Sequence, residues 1–79
     1  MIMTKQQKLF DKIKNRPQDV RWSEFKKFMA LEGCTMRKGK GTGRFFSRPD
    51  GVTITVDKPH GSAKVDTGAV KRALKVLGY

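Results

Sequence analysis

The chain has 79 residues, with 18 Lys or Arg against 7 Asp or Glu, a net charge of +11 and a hydrophobic fraction of 37%. That length excludes a second independent core, and seven aromatics with many Leu, Val and Ile exclude a fully disordered chain. One cysteine and one histidine exclude an intramolecular disulfide and a cysteine-based zinc site, and they argue against any transition-metal site or cofactor.

The first periodic segment predicts a helix from Thr4 to Asn15, with Thr4 as N-cap and Leu9, Phe10 and Ile13 as a narrow apolar stripe. Pro17 ends it, because the residue before a proline disfavours helical geometry. A second helix is expected from Trp22 to Leu31. Phe25, Phe28 and Met29 fall on one face, and Gly33 suits the position just past the end. Cys34 to Lys38 reads as a short strand, Gly39 to Gly43 as a flexible cationic loop, and Arg44 to Arg48 as a second strand. Pro49-Asp50-Gly51 is a turn, since proline presets φ and glycine accepts positive φ. Val52 to Asp57 alternates cleanly: Val52, Ile54 and Val56 face one way, Thr53 and Thr55 the other. A loop from Lys58 to Lys64 holds His60. Asp66 or Thr67 caps a last helix to about Leu77, with Val70, Leu74 and Leu77 inward, Ala73 and Val76 beside them, and Lys71, Arg72 and Lys75 outward. The expected fold is α+β in two layers, with a three-stranded antiparallel sheet packed on helices. From the second helix onward its αβββα order is that of the double-stranded-RNA-binding domain. A single domain over residues 1–79 is expected, with an extra N-terminal helix in 1–16 and the core in 20–79.

The positive charge is not a tail. Residues 1–33 hold eight basic and four acidic groups, residues 34–51 five and one, and residues 52–79 five and two. A folded body of that charge attracts polyanions, because binding neutralises phosphates and releases their counterions. The N-terminal MIMTKQQKLF lacks a signal peptide's apolar run and no segment is long enough to span a membrane, so a cytoplasmic location is expected.

The segment from Arg37 to Arg44 carries four cations (Arg37, Lys38, Lys40 and Arg44), Thr42 and three glycines in eight residues. Glycines let backbone N–H groups approach a phosphate closely, and the cations add Coulomb attraction. The GxxxxGK[ST] order of a nucleotide P-loop is missing. The alternative is a solvated hairpin loop. Phe45 and Phe46 are adjacent on a strand and so point to opposite faces. One belongs to the core; the other either stacks on an RNA base or packs under the N-terminal helix. Trp22 reads as a core anchor and Cys34 as a small core or strand residue.

Taken together, Gly33, Gly41-Thr42-Gly43, Pro49-Asp50-Gly51, His60 and the closing Gly68 to Tyr79 segment resemble the HicA-type messenger RNA interferases over about three quarters of the chain, from Val20 to the end. The leading helix resembles a variant subgroup. The resemblance implies a toxin of a type II toxin–antitoxin system that binds and cleaves mRNA without a metal. Its implied protein partner is an acidic HicB-like antitoxin. His60 matches the family's second histidine. Most members place a catalytic histidine directly after Gly-Ser at the start of the second strand, and here that position is Gly43. Lys64, Lys71, Arg72 and Lys75 correspond to the phosphate-contacting loop and closing helix of double-stranded-RNA binders; their alternative is a solvated helix face.

Metal-free RNA cleavage requires a base for the 2′-hydroxyl, an acid for the leaving oxygen and cations for the phosphoryl charge. His60, flanked by Lys58 and Lys64, is the only histidine for the proton roles. Three readings stay open: a ribonuclease toxin using His60 with Lys40, Arg44 and Lys58; a non-catalytic RNA-binding module; and a basic domain that reads an acidic protein. The first two require the glycine hairpin, the histidine loop and the final helix to gather their cations on one side.

Overall fold

A computed structural model of the chain describes residues 5–61 and 63–79. The expected Thr4 N-cap, and Ser62 within the expected 58–64 loop, lie outside the described residues. The elements run α1 (Lys5–Asn15), α2 (Trp22–Leu31), β1 (Thr35–Lys38), β2 (Gly43–Ser47), β3 (Thr53–Asp57) and α3 (Thr67–Val76). The strands form one antiparallel sheet in the order β1-β2-β3. This is the α+β arrangement, with the order of the double-stranded-RNA-binding domain from α2 onward.

The apolar periods dictate the packing. Ile13 of α1 is fully buried, and Phe10 meets Phe28 of α2 edge-on with centroids 5.1 Å apart. Phe25, Phe28 and Met29 bury the inner face of α2. Gly33 closes that helix at φ +83°, where a side chain would be strained. Asp66 caps α3 by accepting from the N–H of Ala69 at 3.1 Å.

Register decides the sheet faces. Met36, Phe46 and Ile54 lie side by side, as do Lys38, Arg44 and Val56, on the face turned to the helices. Phe46, Ile54 and Val56 are buried there with Val20, Val65, Ala69, Val70 and Ala73. Phe46 stands edge-on to Phe25 at 5.4 Å and to Trp22 at 5.9 Å. Truncating Phe25 or Phe46 to alanine costs about 3–5 kcal/mol. The Lys12–Glu24 ion pair that ties α1 to α2 at 2.7 Å is half-exposed and contributes about 1 kcal/mol at most. The aromatic cluster therefore outweighs the ion pair in holding the layers together.

Several expectations are corrected. β1 begins at Thr35, because the N–H of Cys34 is taken by the carbonyl of Met29 at 3.0 Å as α2 ends. β2 starts one residue earlier, at Gly43, and ends at Ser47. Val52 lies outside β3 and is 41% exposed, not on the core face; its N–H is held by Asp50 in the turn, beyond the reach of the helical layer. Val76 ends α3 exposed rather than beside the inner stripe, where small Ala69 is buried instead. Phe45 does not pack under α1, whose stripe is covered by α2 and Tyr79.

Candidate nucleic-acid interface

The loop from Gly39 to Gly43 is a closed hairpin. Gly39 N–H donates to Gly43 O at 2.9 Å, and Gly43 N–H to Lys40 O at 3.2 Å. Gly41 takes φ +60°. A Cβ on Gly39 would lie 2.6 Å from Cε2 of Phe45, so glycine is required for the Phe45 ring to lie against the hairpin. Gly43 carries no such requirement. Its φ is not left-handed, and a Cβ there would meet only the Lys40 carbonyl, at 3.4 Å.

Arg44 is the expected phosphate ligand that is not presented to solvent. It is 8% exposed, on the helix-facing side of β2, and its Nη1 donates to the carbonyls of Gly41 at 3.1 Å and Gly43 at 2.9 Å. The guanidinium braces the hairpin from beneath. Around it, Arg37, Lys38, Lys40 and Lys58 are exposed, and Thr42 is half-buried. Lys58 leaves β3 at this same end, with its N–H donating to Thr42 O at 2.8 Å. On the outer sheet face Arg37, Phe45 and Thr55 stand side by side across the three strands, with Phe45 half-buried.

His60 is exposed, and its carbonyl accepts from Ala63 N–H at 3.1 Å. The next residue, Gly61, lines a cleft of about 540 Å³ with Arg21, Trp22, Ser23, Ala63 and Lys64. Residues 64–65 are fastened to the α1–α2 linker: Val65 N–H donates to Val20 O at 2.8 Å, and the Lys64 ammonium meets Asp19 at 2.6 Å. The hydrogen bond and charge of Lys64 hold the Asp19 carboxyl below its usual range. Lys64 therefore enters the cleft already paired.

The hairpin and the start of the histidine loop are thus brought together, while the closing helix is not. Arg72 and Lys75 lie beside Thr53 and Thr55, toward the opposite end of β3 from the Gly43–Asp57 pair; Lys71 is exposed on the same helix. Arg21 and Trp22 line the cleft, and neither is among the sequence-expected site residues. Trp22 also anchors the core against Phe25 and Phe46. No local pattern marks Arg21, because its placement depends on Gly61, Ala63 and Lys64, far along the chain, lying beside it.

Among the described residues no group of three or more His, Cys, Asp or Glu is placed to hold a metal. No described helix is long and apolar enough to cross a membrane. Burial pushes the Cys34 thiol up against the opposing charge of Arg48, which leaves it unsuited as a nucleophile. The sequence model of one family, described as the HicA toxin of bacterial toxin-antitoxin, matches residues 22–79. No curated protein and no solved structure matches the chain. The family match begins at the first residue of α2 and leaves α1 outside it.

Proposed function

The chain belongs to the HicA toxin family, and on that premise we propose that it is a cytoplasmic, metal-independent endoribonuclease that cuts mRNA and is held in check by an acidic HicB-like antitoxin. Toxins of this family pair with HicB antitoxins and act on RNA. In this reading the RNA backbone crosses the hairpin end of the sheet. Arg37, Lys38, Lys40 and Lys58 contact phosphates, helped by the Thr42 hydroxyl, and His60 transfers the proton. Phe45 offers its exposed edge to a base beside Arg37. Arg44 acts indirectly, by holding the hairpin carbonyls away from the phosphates.

The observation that carries this reading is the bond from Lys58 N–H to Thr42 O, which fastens the backbone at the start of the histidine loop to the glycine hairpin. A proton-transfer group is useful only within reach of a phosphate held by cations, and this bond supports such an arrangement.

The experiment is cleavage of a defined mRNA in EDTA by the full chain and by His60→Ala. A loss of about 10²–10⁴-fold is expected for the variant, with RNA binding retained. Undiminished cleavage by His60→Ala would remove His60 from the chemistry. Gly43 at the family's histidine position favours a second reading, an RNA-binding chain that does not cut. That reading requires salt-sensitive binding by the unaltered chain without any product.

A further inference from the structure

β3 is an edge strand, and its pairing with β2 fixes which backbone groups it leaves open. Arg48 N–H donates to Val52 O at one end of that ladder, and Lys58 N–H to Thr42 O at the other, each at 2.8 Å. Hydrogen-bonded pairs alternate along an antiparallel ladder. Ile54 and Val56 therefore bond to β2, whereas Thr53, Thr55 and Asp57 turn their N–H and C=O groups to the open edge. Among the described residues no backbone hydrogen bond takes those groups up.

The edge also has a wall. A groove of about 290 Å³ separates β3 from α3, lined by Thr53, Ile54, Thr55, Arg72, Lys75 and Val76. Val76 exposes apolar surface within it. Arg72 and Lys75 stand one turn apart on α3, and neither has an ion-pair partner among the described residues. Edge strands are ordinarily guarded by a lysine, a proline, a bulge or a covering element. Thr53 to Thr55 carries none of these on the strand, whereas β1, the other edge, displays Arg37 and Lys38.

We propose that this open edge of β3, with the β3–α3 groove, binds an extended acidic segment of a partner protein, which adds to the sheet as a fourth strand. Main-chain bonds to Thr53, Thr55 and Asp57 supply the pairing. Alternate apolar side chains of the segment enter the groove beside Ile54 and Val76, and its carboxylates meet Arg72 and Lys75. An RNA strand fits the same place less well. Its phosphates can meet Arg72 and Lys75 but are repelled by the outward carbonyls, whereas an extended peptide satisfies the outward N–H and C=O groups together and lays apolar side chains on Ile54 and Val76. The proposal takes from the family reading only the expectation of an acidic protein partner; the groove with Arg72 and Lys75 lies toward Thr53, and only Asp57, paired with Gly43, adjoins the hairpin assigned to RNA.

The test uses the isotope-labelled full chain with two probes: a synthetic peptide alternating valine and glutamate, and an oligouridylate. The peptide is expected to slow amide exchange of Thr53, Thr55 and Asp57 by about tenfold or more, and to leave the already bonded Ile54 and Val56 little changed. Thr55→Pro removes an outward N–H without removing a bond to β2, and is expected to abolish that protection. Arg72→Glu with Lys75→Glu, both on an exposed helix face, is expected to weaken peptide binding about tenfold or more, and it decides the matter if the proline variant does not fold. Three outcomes overturn the proposal: no protection by the peptide, protection of Met36 and Lys38 on β1 instead, or perturbation of the Thr53 amide, at the end of β3 away from the hairpin, by the oligouridylate alone. Failure of the toxin reading shows separately, as an absence of RNA binding or cleavage, and does not alter these amide readouts.

Discussion

The backbone N–H of Lys58 donates to the carbonyl of Thr42 across 2.8 Å, joining the end of β3 to the tip of the β1–β2 hairpin. Sixteen positions apart in sequence, the two residues become neighbours because β3 continues its register with β2 one pair beyond Gly43 and Asp57. Everything proposed for the RNA surface depends on this junction, since it sets the start of the histidine loop beside the glycine-rich cations.

Gly43 opens β2 at the position where the family resemblance implies a histidine, and its backbone imposes no need for glycine. Gly43→His is therefore expected to fold with a stability change within about 1 kcal/mol, and to raise RNA cleavage in EDTA by about tenfold or more. Cleavage rates at matched protein concentration check this. An unchanged rate would mean that the strand start is not a reacting position in this chain.

Gly39 is the opposite case. Its Cβ would stand 2.6 Å from the Phe45 ring and 3.3 Å from Gly43 O. Gly39→Ala is expected to lower unfolding free energy by about 1–3 kcal/mol, as overpacking does. Adding Phe45→Leu should recover part of the loss. A denaturant double-mutant cycle measures the coupling, and strict additivity would show that the ring does not press on the hairpin.

Arg44 and Lys58 separate bracing from phosphate contact. Arg44→Met leaves the hairpin carbonyls without their donor and is expected to cost about 1–3 kcal/mol of stability. RNA affinity should fall while its dependence on salt keeps the same slope. Lys58→Ala should leave stability nearly unchanged and reduce the magnitude of that slope by about 1. Binding titrations over a range of salt distinguish the two. A shallower slope in Arg44→Met would return that guanidinium to the phosphate surface.

Tyr79, the only tyrosine, donates its hydroxyl to the Glu32 carboxylate, and the Lys14 ammonium lies 5.2 Å from its ring centre. The hydrogen bond to Glu32, with burial and the carboxylate charge adding to it, pushes the phenol up to about 12 from an ordinary 10.0. The folded state thus holds the phenolic proton more tightly than the unfolded state. The stability it contributes is fully present below pH 10 and is lost as pH rises through about 12. Tyrosinate absorbance is expected to show a late transition, and Glu32→Gln should return it toward the ordinary value. An ordinary midpoint in the unaltered chain would mean that the bond does not persist in solution.

The sequence by itself determined the elements and the sign of the surface. Leu9 with Ile13 and Phe25 with Phe28 and Met29 repeat at helical spacing, Ile54 and Val56 alternate as a strand, and Pro49-Asp50-Gly51 marks a turn. These are local properties of the chain. Alternation also determined that Arg44 shares a face with Phe46 and not with Phe45. Which of those faces is the core was not local: it follows from pairing Phe46 with buried Ile54, and Arg44 with buried Val56. That pairing turned one candidate phosphate ligand inward and left Phe45 on the outer face. Lys64 is similar, since nothing near it in sequence announces that Asp19 neutralises it from the α1–α2 linker. Charge can be counted along a chain, but its availability depends on long-range partners. Only the tertiary structure decided which cations remained free, and that Arg72 and Lys75 border a strand edge rather than the hairpin.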